Sequence, residues 1–418
     1  MTNYTTDLYE MKREIINYSK KLTKGLGQVE TKFVTDMIYG TMRSQSSIIS
    51  NISDALEEDI KKINTVERLT RNLNNDLNHN LIYQNYMKEV HKVVDDEPVI
   101  LVDDSDIIKP YGTEFESLGM VRDGSTKDKK LEKGYIVTEM VALTKNEKHP
   151  MSVYSHIHSS LEKNYKSTNS ETFKGIDQVL NQFNKRCTFV FDRGYDANNL
   201  ILKMLKTESH FVLRLTEKRN LYYKGKKYKS TILRDSRKGK IRMDVMFDNK
   251  VTPCYISHLN VKVSASKKEM RLVLVYGLGE TPMMLLTNRQ IKSKKDVIKI
   301  VRLYLSRWRI EDYFKFKKED FGLEDFRVRN LKAINNLNQL ISYTIGLIGL
   351  LTEKMNKRLL TIKILERAKV IRTKLVFYYY QMSKGIRNIL AHAKTGIKEF
   401  LNIRIKKPYT QIQFKLEC

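Results

Sequence analysis

Val99-Ile100-Leu101-Val102-Asp103-Asp104 decides the fold: four apolar residues in a row, bounded by Pro98 on one side and by carboxylates on the other. A short apolar run closed in this way is the pattern of a strand buried on both faces, and such strands belong to sheets covered by helices. Cys187-Thr188-Phe189-Val190-Phe191-Asp192 repeats the form, again ending on an acid. Around these two runs the pattern predicts strands over 134–143, 151–157 and 210–215 and helices over 170–184 and 197–205. Strands alternating with helices make an α/β domain with a central mixed sheet, beginning at about residue 96.

Working outward, residues 1–95 contain no proline and carry apolar residues at mixed three- and four-residue spacing, which predicts a helical domain. Its stretch from Thr31 to Asp59 reads as two or three short helices, with Gly40 at one break and a serine-rich turn before Ile48. A helix-turn-helix that places a helix on DNA is one reading, with Arg68 and Arg71 as candidate DNA contacts; an ordinary helical bundle is the other. Residues 96–219 form the first part of the α/β core. Residues 220–284 alternate in the β manner and are laced with Lys, Arg and Tyr, which predicts a β-rich insertion. Residues 285–330 return to the core with a strand and a long helix from about Lys294 to Asp320. Residues 331–418 read as a helical C-terminal region, an expected dimerisation element.

The chain has 418 residues, with 76 Lys plus Arg against 48 Asp plus Glu, a net charge of +28. That length rules out a peptide hormone or a stapled mini-protein, and that charge attracts a polyanion, of which nucleic acid is the commonest large one. Cys187, Cys254 and Cys418 are odd in number and contain no C-x-x-C pair, which argues for a reducing cytoplasm and against a disulfide framework or zinc finger. The first fifteen residues lack the apolar core of a signal peptide. The apolar stretch from Leu337 to Leu351 is interrupted by Asn, Gln, Ser and Thr, so it reads as a buried core helix, and no membrane partner is expected.

Three acids carry the chemistry. Asp103 and Asp192 close predicted strands, and Glu311 lies on the predicted long helix (Tyr304 to Lys318, YLSRWRIEDYFKFKK). If the two strands are neighbours, their terminal carboxylates are adjacent, and a helix crossing that end delivers the Glu. Three close carboxylates raise one another's pKa and call for cations. Magnesium, hard and oxygen-seeking, suits such a set, and two ions can activate a water or 3′-hydroxyl and stabilise the leaving oxygen at phosphorus. An acid after a strand is also common in ordinary loops, so the helix carries the weight. At 100° per residue, Tyr304, Arg307, Glu311 and Lys318 fall at about 0°, 300°, 340° and 320°, within an arc of roughly 60° that runs about 21 Å along the axis.

Those four residues match the Y-x2-R-x3-E-x6-K signature, and the chain resembles the DDE transposases of the bacterial insertion-sequence-four family. VDDSD (Val102 to Asp106) and DRGY (Asp192 to Tyr195) match that family's two Asp motifs, and the β-rich stretch matches its inserted β domain; the likeness spans about residues 30 to 355. The resemblance implies an RNase H-like core, binding to double-stranded DNA at terminal inverted repeats, a target DNA, and cut-and-paste movement through a hairpin in a bacterial cytoplasm, at the nucleoid. It implies Asp103, Asp192 and Glu311 as catalytic ligands of two Mg2+ ions, with Mn2+ an expected substitute, and Tyr304, Arg307 and Lys318 as DNA phosphate contacts. Asp104 and Asp106 compete with Asp103 for the first position; Asp103 directly follows the strand. A homodimer on DNA is expected, since two ends must be brought together.

One departure concerns the tryptophan that such relatives can use in the β domain to stack on a flipped base. The single tryptophan here is Trp308, on the signature helix, and it reads as packing. Tyr222, Tyr223 or Tyr228 of the insertion can offer a stacking face instead. His149, His156 and His158 with Cys187 make a weak zinc pattern without a fourth ligand at motif spacing. The rival readings are a structure-specific nuclease on the same fold and a DNA-binding derivative without catalysis.

Overall fold

The computed structural model describes residues 4–124, 128, 130–146, 148–247, 250–355, 358–369 and 377–397. Five helices open the chain: α1 (Tyr4–Leu22), α2 (Gln28–Ser44), α3 (Ile49–Leu56), α4 (Lys62–Asn74) and α5 (His79–Val90). Gly40, read as a break, lies inside α2, where Ile52 of α3 presses so closely that no side chain would fit. α2 is buried continuously from Phe33 to Met42. It is therefore a core helix that no groove of DNA can receive.

After Pro98 the chain enters the sheet with β1 (Val99–Ile108), β2 (Gly119–Arg122), β3 (Leu131–Leu143) and β4 (Pro150–His158). Then come α6 (Thr168–Gln182), β5 (Thr188–Phe191), α7 (Asn198–Leu205) and β6 (His210–Arg214). β3 pairs antiparallel with both β1 and β4, while β5 runs parallel to β1 and β6 parallel to β5. The spatial order β4-β3-β1-β5-β6, an antiparallel meander followed by two parallel strands, is the RNase H-like arrangement within a mixed α/β sheet. Ile100, Leu101, Val102, Phe189, Val190 and Phe191 are fully buried, as strands covered on both faces require.

The β-rich stretch holds β7 (Asn220–Tyr223), β8 (Lys226–Lys229), a short helix α8 (Ser230–Asp235), β9 (Ile241–Phe247), β10 (Lys250–Val263) and β11 (Ser266–Tyr276). β12 (Met283–Thr287) then pairs with both β11 and β6. The inserted strands thus continue the core sheet, giving twelve hydrogen-bonded strands among the described residues. The reason is the edge of β6, whose unpaired backbone groups would otherwise face solvent.

The chain returns through α9 (Lys294–Leu305) and α10 (Trp308–Glu319), then α11 (Leu331–Thr352), α12 (Leu359–Arg367) and α13 (Tyr379–Leu390). One helix was expected over 294–320, and two are found. Ser306 turns its hydroxyl back onto the Leu303 carbonyl at 2.7 Å, and the amides of Arg307, Arg309 and Ile310 bond three residues back. Such local competition tightens and bends a helix. α11 is buried over nearly its whole length, with the side-chain donors of Asn336, Asn338, Ser342 and Thr344 bonded inside the protein. Among the described residues no helix is long and apolar enough to cross a membrane. The C-terminal reading for 398–418, and Cys418 with it, lies outside the described residues.

Candidate active site

Two facts of register build the site. Parallel pairing of β1 with β5 matches Val102 to Phe191, so the next residues, Asp103 and Asp192, stand on neighbouring strands where the pairing ends. β5 matches β6 at Phe191 and Leu213, which puts Arg214 beside Asp192 in the same row. β1 itself runs on to Ile108 against β3, so Asp103 sits where β1 parts from β5 rather than at a strand's end.

Side-chain alternation then separates the first motif's acids. Asp103 faces α10, where its Oδ2 accepts from Arg307 at 3.0 Å. Asp104 faces the other side of the sheet and accepts from the Thr138 hydroxyl at 2.6 Å. Asp106 takes part through its carbonyl, which accepts from Lys318 at 2.6 Å.

The helix pair closes the site. Tyr304, at the end of α9, donates to Asp192 Oδ1 at 3.0 Å, and Arg214 Nη1 lies 3.5 Å from the same tyrosine oxygen. Arg307, in the break, is only 7% exposed and spans Asp103 and Glu311, the latter at 2.5 Å. Lys318 pairs with Glu324 at 2.9 Å. The bend at Ser306 thus re-aims Arg307, and the four signature side chains still gather along β1, the end of β5 and the segments beside them.

The electrostatics follow. Burial, with repulsion from Asp104 and Asp192 and against the pull of Arg307, pushes Asp103 up to about 7. Burial also pushes Asp104 up to about 6, opposed by its hydrogen bonds. For Arg307 burial alone would lower the pKa, but Asp103, Asp192 and Glu311 outweigh it and the value rises. Among the described residues no three acids, histidines or cysteines are grouped closely enough to hold a metal ion as placed. The Arg307 guanidinium stands between two of the acids. The donor set itself, three carboxylates with a single resident cation, fits a hard divalent ion.

Other candidates lie elsewhere. Arg68 gives both ends of its guanidinium to Asp36 and Glu58, at 2.8 Å each, inside the helical bundle; Arg71, one turn on, is exposed. Trp308, read as packing, is 60% exposed, with the Arg307 guanidinium 5.7 Å from its ring. An indole on the first turn of α10 cannot reach the core that Ile310, Tyr313 and Phe314 fill. Tyr222 is exposed on β7, while Tyr223 and Tyr228 are partly covered. His149 is buried against Phe377 and Tyr379, and burial lowers it to about 3. His156 stacks on His158, whose Nε2 lies 3.0 Å from Thr138 Oγ1, and Cys187 is buried at the start of β5.

Arg214 and Glu139 were not singled out from the sequence. Arg214 had a signal, an Arg closing a strand that runs parallel to an acid-terminated one. Glu139 had none, because one Glu in an alternating strand reads as a solvent-facing residue.

An acid where two adjacent parallel strands part, a second just past the end of its neighbour and a third on a crossing helix are groups able to hold divalent metal beside a phosphodiester. Residues 97–345 match the transposase DDE domain, and the chain belongs to that family: it is a DDE-type transposase, an enzyme of DNA transposition. No curated protein matches the sequence. Among solved structures the chain is similar to piggyBac transposase in a synaptic complex with hairpin DNA, at 9% identity over 98% of this chain and 83% of that one, TM-score 0.44. It is also similar to the NurA nuclease from Sulfolobus solfataricus, at 10% identity over 59% of this chain and 86% of that one, TM-score 0.27.

Proposed function

We propose that the chain belongs to the insertion-sequence-four group and catalyses cut-and-paste movement of its element, opening each transposon end through a hairpin. Asp103, Asp192 and Glu311 are the ligands of two Mg2+ ions. The observation that carries this reading is the convergence of an acid from β1, an acid from β5 and an acid from α10 around the Arg307 guanidinium. When bound, the ions supply an activated water or 3′-hydroxyl and neutralise charge on the leaving oxygen.

The chain's own residues do the rest. Arg307, held by two acids that the ions also require, is the cation best placed to pass to a DNA phosphate. Lys318 and Tyr304 flank it, so one edge of the site can follow a strained backbone and keep attacking and leaving oxygens in line. Trp308 offers an exposed ring for stacking on an unpaired base. The partners are double-stranded DNA with terminal inverted repeats, a target duplex and a second copy of the chain, with Arg71 a contact from the N-terminal helices.

The test is cleavage of a labelled duplex carrying the inverted repeats that flank the gene, followed by strand transfer into a target. Mg2+-dependent nicking, hairpin formation and joining are expected. Cutting without joining would make the protein a nuclease, and cutting that survives Asp103→Asn would remove this site from the chemistry.

A further inference from the structure

On the buried side of α10 lies an ion pair that the reaction does not use. Lys317 and Glu139 are both 0% exposed, and the Lys317 ammonium lies 2.8 Å from Glu139 Oε2. Its other two protons have acceptors as well, Ser155 Oγ at 3.1 Å and Ser342 Oγ at 2.8 Å. Glu139 accepts in addition from the hydroxyls of Ser152 and Ser155. Those two serines share a face because β4 carries a bulge opposite Met140 and Val141, a device that re-aims side chains. Asn338 of α11 donates to Ser155 Oγ at 2.8 Å and completes the join between β3, β4, α10 and α11.

Stability does not explain such a pair, since buried ion pairs are matched or exceeded by apolar residues of the same volume. Its place does. Glu139 is the register partner of Asp103 across β1 and β3, and cross-strand partners lie side by side on one face. Each acid of that pair is taken by a cation of the same helix segment, Asp103 by Arg307 at its start and Glu139 by Lys317 near its end. The break at Ser306 uncouples α10 from α9, so continuity of helix cannot set the rotation or height of α10. A slip of one residue would move Glu311 by about 1.5 Å and 100°.

We propose that Lys317 and Glu139 are positioning residues that fix α10 against the sheet and so hold Glu311 in reach of Asp103 and Asp192. The proposal rests on the reading of those three acids as metal ligands. Arg307 can leave Asp103 when metal and DNA arrive; Lys317 and Glu139 remain as the fixed point.

The test is the double variant Lys317→Met with Glu139→Gln, which removes both charges and keeps the volume. Expected are a thermal midpoint near that of the unaltered chain, unchanged affinity for end DNA, cleavage slowed by about 10- to 100-fold, and a several-fold higher half-saturating Mg2+. The Mg2+ titration is also read without DNA from the emission of Trp308, the chain's only tryptophan, three residues before Glu311. A folded double variant with unaltered rate and half-saturation overturns the proposal. If the double variant does not fold, Ser342→Ala removes one acceptor of Lys317 without stranding a charge. A two- to fivefold rise in half-saturating Mg2+ is then expected, and no rise overturns the proposal. An unaltered chain whose Trp308 does not respond to Mg2+ and whose cleavage ignores Asp103→Asn would instead overturn the metal-site reading.

Discussion

Arg68 in the helical bundle and Arg307 at the end of the sheet each hold two carboxylates at hydrogen-bond distance. Around Arg68 the charges close: Lys32 and Arg68 face Asp36 and Glu58 in a ring of four contacts between 2.5 and 3.0 Å. Around Arg307 they do not, since Asp103, Asp192 and Glu311 share one cation. The acids register the difference. Burial works against ionisation of Glu58, yet its bonds to Lys32, Arg68 and Thr65 bring it down to about 2. Burial dominates at Asp103, and acidic neighbours help take it up to about 7. Asp36, more deeply enclosed, is also raised by burial against its two cations, so a closed ring does not spare every member. A balanced ring staples helices together. A cluster with surplus negative charge is arranged to receive cations.

The largest effect expected from that contrast is at the acids themselves. Asp103→Asn, Asp192→Asn or Glu311→Gln should each slow cleavage by at least about 10³-fold while end binding changes by no more than about twofold, because on the proposed reading a metal ligand is lost but no phosphate contact. Gel-shift and cleavage assays on one preparation check this, and full cleavage by any one variant removes that residue from the site. Next come the two arginines. Arg307→Ala should cost about 10²- to 10³-fold in rate, slowing the hairpin more than the first nick, and any stability it loses should return with Mg2+ as the exposed carboxylates bind the ion. Arg68→Ala should cost roughly 2–4 kcal/mol of stability that Mg2+ does not restore, with cleavage per folded molecule unchanged. Equal behaviour of the two variants would erase the distinction between ring and site.

Much of the candidate site was legible because its signals are local. Apolar runs leading into Asp103 and Asp192 mark buried strands whatever the rest of the chain does, though β1 runs on past Asp103 to Ile108, and the Y-x2-R-x3-E-x6-K spacing carries the third acid. What was hidden depends on pairing between distant segments. Nothing near Arg68 announces that Asp36 and Glu58 will take it, and nothing in Gly134–Leu143 says that Glu139 will meet Lys317 from 178 residues away. The break at Ser306 was invisible for another reason: serine is neutral in a helix until its hydroxyl chooses the carbonyl behind it. The continuity of the inserted strands with the core sheet likewise rests on β12 meeting β6, a contact that alternation alone does not encode.

A smaller effect comes from pH. Glu58 titrates near its ordinary value of about 4.5 in the unfolded chain and near 2 in the folded one, so its contribution to stability is present above pH 4.5 and disappears as pH falls through 2. Glu58→Gln should therefore cost roughly 1–3 kcal/mol at pH 7 and almost nothing at pH 2. Denaturant unfolding of both proteins across that window measures the difference. A penalty that does not shrink on acidification would mean the ring's charges do not hold the helices.

The smallest effect is the most discriminating, because each cluster also contains one neutral hydroxyl donating to an acid. In the bundle Thr65 Oγ1 gives its proton to Glu58 Oε2 at 2.8 Å; at the site Tyr304 gives its proton to Asp192 Oδ1 at 3.0 Å. Both side chains are buried; Thr65→Val deletes its hydrogen bond to Glu58, and Tyr304→Phe deletes the one to Asp192 together with the longer one accepted from Arg214. A bond of this kind is worth roughly 0.5–1.5 kcal/mol net, somewhat more when the acceptor is charged. Thr65→Val should spend that energy on stability alone, lowering the unfolding midpoint without altering the rate. Tyr304→Phe should instead appear in the reaction, about two- to tenfold slower, because the hydroxyl holds Asp192, a proposed metal ligand. On the proposed hairpin route the slowing should fall more on hairpin formation than on the first nick, since a hairpin bends the backbone more sharply and crowds its phosphates. A time course on a labelled end that resolves nicked, hairpin and fully cut DNA, run beside thermal unfolding of both variants, reads all of this. Loss of stability with no change in either step would place Tyr304 with Thr65, as a structural donor in a second closed ring.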